Sequence, residues 1–345
     1  MKFLVFFLVF GPTLWSLNQR DLLIYENQTT HFLRQNDWRK SFHSLFSALH
    51  EAEKNSEDEL RLTIKLAHLY FHFGKSLGDA EGYYKKALQI DPYSLSAYLG
   101  LGDVYFKRKQ YRQAIHFYEM ALKYHKDNYL AYSSVAMGFY ELAEGERASH
   151  LYKIALQKNP KDIVSLNNLG NIALDAQNLD LAADYYEQAI KINPDFQAAH
   201  ANVANIYLYQ KRYNEAKKHF KRALELRYED PSVHSNLANL YYEKRLIERA
   251  KFHLRKALYY EDHPVYHNNL AVMEKFTREY KTAGAEYSKT LKRNSNYSNA
   301  RHNSGFFKNR SMRVRETLND AQKKITPKRL IRGNWRHRKS RFLEK

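Results

Sequence analysis

The chain reads as an all-α solenoid of antiparallel helix pairs. Three observations predict it: small and large apolar residues recur every 34 positions, offsets of three and four link them within each recurrence, and polar or proline-containing breaks fall between them. Composition agrees. The 345 residues include 28 tyrosines but only seven prolines and twelve glycines, which favours long helices packed through aromatic side chains over a turn-rich β fold. Hydrophobic residues make up 44% and charged residues 27%, enough apolar surface for a continuous core. There is no cysteine, which excludes disulfides, zinc ribbons and thiol nucleophiles.

Residues 1–16 read as a secretory signal peptide. Met1 and Lys2 precede an uninterrupted apolar run over 3–10, then Gly11, Pro12 and the small Ser16. This predicts export, to a periplasm or through a secretory pathway. The run falls short of the ~20 residues of a membrane-spanning helix. The competing reading makes it an apolar capping helix of a cytoplasmic solenoid. Residues 17–56 form a degenerate N-terminal cap, with Trp38, Ser41, Leu45 and Ala48 at the spacing of a second helix.

The body, 57–296, contains seven units. Alanines recur at Ala80, Ala114, Ala148, Ala182, Ala216 and Ala250, each 34 residues on, and at Ala283. Four residues after each stands Tyr84, Tyr118, Tyr152, Tyr186, Phe220, Leu254 or Tyr287. Three further on come Ala87, Ala121, Ala155, Ala189, Ala223, Ala257 and Thr290. These offsets place the set on one helical face. Upstream, a large-small step recurs at Leu66-Ala67, Leu101-Gly102, Val135-Ala136, Leu169-Gly170, Val203-Ala204, Leu237-Ala238 and Leu270-Ala271, which marks a second helix in each unit. Pro92, Pro160, Pro194, Pro231 and Pro264 separate units, because the residue before proline is pushed out of helical geometry. Breaks such as Lys109-Gln110, Gln177-Asn178 and Lys211-Arg212 separate the helices within them.

This pattern resembles the tetratricopeptide repeat (TPR) in period, in small and large positions and in proline placement. The resemblance implies a right-handed superhelical solenoid whose first helices line a concave inner wall. Residues 297–323 resemble a partial repeat or capping pair, with Gly305 at the small position.

Just before the large-small step stand Asn168, Asn202, Asn236, Asn269 and Asn303, and three positions after the first three of them Asn171, Asn205 and Asn239. These amides resemble the asparagine ladder of the O-GlcNAc transferase superhelix, which implies that they grip an extended polypeptide. Each amide offers two donors and an acceptor to a peptide's repeating C=O and N–H groups. The plainer reading is that they cap neighbouring groups or hold water. Gly100 and Ser134 break the column in earlier units. The carboxylate clamp of chaperone-binding repeats is not reproduced, since the positions following Asn167, Asn171 and Asn202 are Ser232 and Asn236.

His200, His234 and His267 occupy equivalent places in adjacent units. Neighbouring helices lie ~8–10 Å apart, too far for the ~2 Å bonds of a shared zinc, so packing accounts for them. No His-Glu-x-x-His, phosphate-cradling glycine loop or Gly-x-Ser-x-Gly elbow occurs. The expectation is a non-catalytic scaffold without cofactor or metal.

The formal charge is +19, of which +12 falls from Arg301 onward. Residues 324–345 form a basic tail, in which Lys328, Arg329, Arg332, Arg336, Arg338, Lys339 and Arg341 surround Trp335. Such a segment attracts polyanions, whether anionic lipid, envelope polymer or, less favoured, nucleic acid. The set against it is a solvated tail that aids solubility. Three functions follow: an exported scaffold holding an extended protein segment in its groove, a non-catalytic subunit of a glycosyltransferase or envelope-biogenesis complex, and a polyanion-binding protein. Sequence leaves oligomeric state open between monomer and assembly.

Overall fold

Side-chain size decides how the helices nest. The computed structural model describes residues 25–300, apart from 26, 27, 33, 34, 36, 75, 298 and 299. Residues 1–16, read above as a signal peptide, Asn303, the stretch beyond residue 300 read as a partial repeat, and residues 324–345 lie outside the described residues. The chain divides into two compact units, 1–160 and 161–345.

In the first unit α1 (Trp38–Glu51) precedes three helix pairs: α2 (Glu57–His72) with α3 (Leu77–Ile90), α4 (Leu95–Lys107) with α5 (Tyr111–Tyr124), and α6 (Tyr129–Glu141) with α7 (Gly145–Lys158). The second unit holds four: α8 (Ile163–Asp175) with α9 (Leu179–Ile192), α10 (Gln197–Tyr209) with α11 (Tyr213–Leu226), α12 (Pro231–Glu243) with α13 (Ile247–Tyr260), and α14 (Pro264–Phe276) with α15 (Tyr280–Arg293). Successive helices run antiparallel, and no strand occurs among the described residues.

Every member of the three second-helix columns is buried, as are both residues of each large-small step. The small positions are small because rings occupy the space beside them. A β-carbon on Gly102 would lie 2.1 Å from the Tyr118 ring, and one on Gly170 would lie 2.5 Å from Tyr186. Between pairs, a β-carbon on Gly100 would meet Tyr84 at 2.2 Å.

Six of the seven breaks within pairs share one geometry. Lys109, Ala143, Gln177, Lys211, Arg245 and Arg278 all have positive φ, between 59° and 65°. At the first of these turns Gln110 N–H donates to the Tyr105 carbonyl and Lys109 N–H to the Phe106 carbonyl, both at 2.9 Å, the double bond of a Schellman cap. The other five turns repeat it. Breaks between pairs work differently: Asp91, His125, Asn159, Asn193, Arg227, Glu261 and Asn294 each donate a backbone N–H to the carbonyl of the small residue four positions back. The next helix is then started by a side-chain cap at Asn128, Asp162, Asp230 and His263. Pro231 and Pro264 stand at the first helical positions of α12 and α14, where no N–H is needed.

Within each unit, first helices of successive pairs approach one another, α2 to α4, α4 to α6, and α10 to α12, more closely than the second helices do.

Candidate functional site

The amide columns lie on the least covered stripe of the first helices, in the second unit. On α8 the stripe reads Val164, Asn168, Asn171, Asp175; on α10 Ala198, Asn202, Asn205, Tyr209; on α12 Ser232, Asn236, Asn239, Glu243; on α14 Val265, Asn269, Val272, Phe276. Offsets of four and three keep each stripe on one face. Asn168, Asn202, Asn205, Asn236 and Asn269 are half-buried, whereas Asn171 and Asn239 are buried.

Their hydrogen bonds divide them. At the α8 end the amides are tied together: Asn171 Nδ2 donates to Asn168 Oδ1 at 3.4 Å, and Asn202 Nδ2 donates to Asn167 Oδ1 at 3.0 Å and to Asn171 Oδ1 at 3.4 Å. Asn171 Oδ1 also accepts from the Tyr186 hydroxyl of α9 at 2.7 Å. At the α14 end Asn268 Nδ2 donates to Asn269 Oδ1 at 3.3 Å, and Asn269 Nδ2 has no partner. Between these ends, the side chains of Asn205, Asn236 and Asn239 make no hydrogen bond among the described residues. Asn239 is only 8% exposed. Among these asparagines the side-chain atoms sealed from solvent without a partner are Asn268 Oδ1 and Asn269 Nδ2 on α14, and none is on Asn239.

The cause lies in two substitutions. Ala201 stands where the preceding unit has Asn167, so Asn236 lacks the counterpart of the nearer acceptor that Asn202 uses. Phe220 and Leu254 stand where it has Tyr186, so no hydroxyl reaches Asn205 or Asn239. In the first unit the corresponding stripe residues are Gly100 and Asp103 on α4, and Ser134 and Met137 on α6; Asp103 accepts from Tyr118 at 2.7 Å.

The equivalent histidines find partners within their own pairs. His200 Nε2 donates to the Pro194 carbonyl at 2.9 Å, leaving its Nδ1 to accept from His219 Nδ1, also at 2.9 Å. His234 repeats this with the Tyr228 carbonyl at 2.9 Å and His253 at 3.0 Å. Burial, then the neighbouring histidine, pushes His219 and His253 down to about 4; burial also lowers His200 and His234. In the next pair Glu286 replaces the second histidine, and His267 bonds Glu286 and Asp262. His219 and His253, which recur 34 residues apart in α11 and α13, are not among the histidines singled out from the sequence, which on second helices were His116 and His150. Among the described residues no group of three or more His, Asp or Glu is placed to hold a metal ion. None of the helices described is long and apolar enough to cross a membrane.

Tetratricopeptide-repeat family models match residues 75–136, 163–196 and 204–244, which include α8, α10 and α12 with their amides. The chain is a tetratricopeptide-repeat protein. Solved TPR structures share the fold. The APC/C Cut9–Hcn1 hetero-tetramer structure aligns with a TM-score of 0.60 at 19% identity over 73% of this TPR chain and 54% of the other, so the chain spans about half of that relative. PilF of Pseudomonas aeruginosa aligns with a TM-score of 0.55 at 20% identity, over 61% of this chain and 96% of PilF. A TPR protein from Parabacteroides merdae gives 0.56 at 15%, over 74% and 99%. At these identities the likeness is one of fold. No curated protein sequence matches the chain. TPR proteins are interaction scaffolds, which is the coarse function of this one.

Proposed function

We propose that this TPR protein is a non-catalytic scaffold that holds an extended segment of a partner protein along the first helices of α8, α10, α12 and α14. The observation that carries the reading is the run of Asn205, Asn236 and Asn239, in register on α10 and α12, whose side chains make no hydrogen bond among the described residues. Successive first helices stand ~8–10 Å apart, and three residues of extended chain span about the same length at ~3.3 Å each. One rung per three residues lets each amide meet a main-chain group, so affinity comes with loose side-chain selectivity. The charge of +12 from Arg301 onward supports a second, separate role for residues 324–345 as a tether to an anionic surface, and the composition of residues 1–16 supports export.

The test is an array of 15-residue peptides probed with the purified chain and with a variant in which Asn205, Asn236 and Asn239 are all alanine. The variant should bind at least tenfold more weakly; equal binding would remove the amides from the function. A chain lacking residues 324–345 should keep its peptide binding and lose retention on a heparin-like resin. Unchanged retention would remove the tether.

A further inference from the structure

Each second-column position has a fully buried companion fifteen residues later, on the second helix of its own pair. Tyr118 donates to Asp103, and Tyr186 donates to Asn171, both at 2.7 Å across that separation. In both pairs the residue before the acceptor is glycine, Gly102 and Gly170, and the ring occupies the space a β-carbon would need. The pairs α10–α11 and α12–α13 change both partners at once. Ala204 and Ala238 replace the glycine, and Phe220 and Leu254, equally buried, replace the tyrosine. Neither Phe nor Leu has a hydroxyl, and neither Asn205 nor Asn239 makes a side-chain hydrogen bond among the described residues.

We propose that this buried companion selects which rungs serve the ligand: Tyr186 holds Asn171 inside its hairpin, while Phe220 and Leu254 release Asn205 and Asn239 to grip the backbone of an extended polypeptide. The peptide is thus gripped by residues 197–260, and the α8 rung serves to brace the wall. The selector is invisible to the ligand, since it is wholly inside the core, yet it sets the hydrogen-bonding capacity of the surface one helix away. The inference rests on the peptide-holding reading above.

The experiment transplants the arrangement. Ala204→Gly with Phe220→Tyr, and Ala238→Gly with Leu254→Tyr, rebuild the Gly170–Tyr186 pairing around Asn205 and Asn239. Tyr186→Phe does the reverse at Asn171. With a peptide chosen from the array as the probe, each transplant should weaken binding about three- to tenfold, the worth of one hydrogen bond, and Tyr186→Phe should tighten it. Ala204→Gly and Ala238→Gly alone are the controls and should bind as the parent does. Transplants that melt like the parent and bind the probe equally well overturn the selector and leave the scaffold function standing. A parent chain that binds no peptide on the array overturns both. Should the transplants unfold, Tyr186→Phe decides: tighter binding upholds the selector, and unchanged or weaker binding overturns it.

Discussion

Gly170 and Gly145 look alike in the sequence and are opposites in the fold. An alanine β-carbon at Gly170 would lie 2.5 Å from the buried Tyr186 ring, whereas at Gly145, the first residue of α7, it would meet nothing within 4 Å. Gly170→Ala should therefore destabilise by about 1–3 kcal/mol through overpacking. Gly145→Ala should stabilise by about 0.4–1 kcal/mol by restricting the unfolded chain. Urea melts of the two variants beside the parent check both signs, and a neutral Gly170→Ala would contradict the packing described. The small positions were legible in the sequence because a missing β-carbon leaves a periodic trace. The amide columns were legible for the same reason, but their division was not. Asn171 and Asn205 occupy equivalent places, and only the identity of residues 186 and 220 on another helix separates a braced amide from an open one. Tyr186 and Phe220 fall in one periodic class of large apolar or aromatic side chains, and periodicity does not register the hydroxyl that distinguishes them.

At the scale of elements, helix existence and pairing followed directly from the columns, and helix endings did so only in part. Proline marked the junctions between pairs well. The six like turns within pairs contain no glycine at the left-handed position, which instead carries Lys109, Ala143, Gln177, Lys211, Arg245 or Arg278. Without glycine, the polar breaks could be located but not their backbone geometry. Ala143, with φ of 64°, is the sharpest case, since its side chain has no polar group to compensate. Ala143→Gly should raise stability by about 0.5–1 kcal/mol, the relief of left-handed strain less the added freedom of the unfolded chain. A thermal melt with no upward shift would show that the turn already tolerates its β-carbon.

At the scale of the whole molecule, acid should act on each unit through its buried histidines. His68 in the first unit, and His219 and His253 in the second, are held down to about 4, each chiefly by burial. The unfolded chain takes up protons at these sites near pH 6.5, and the folded chain does not until about 4. Their contribution is present above pH 6.5 and is lost as the pH falls toward 4. Melting temperature should decline between pH 6.5 and 4.5, before most carboxylates titrate, and less steeply when His219 and His253 are both replaced by Gln. Identical slopes would show that the pairs carry no such linkage. One last consequence concerns time. The column amides whose side chains make no hydrogen bond at all among the described residues lie on two adjacent first helices, so a guest chain gains only a few main-chain bonds, each worth ~0.5–1.5 kcal/mol net. Such a guest leaves quickly, and only partners that offer the same kind of segment several times over, rebinding before they diffuse away, would stay for long.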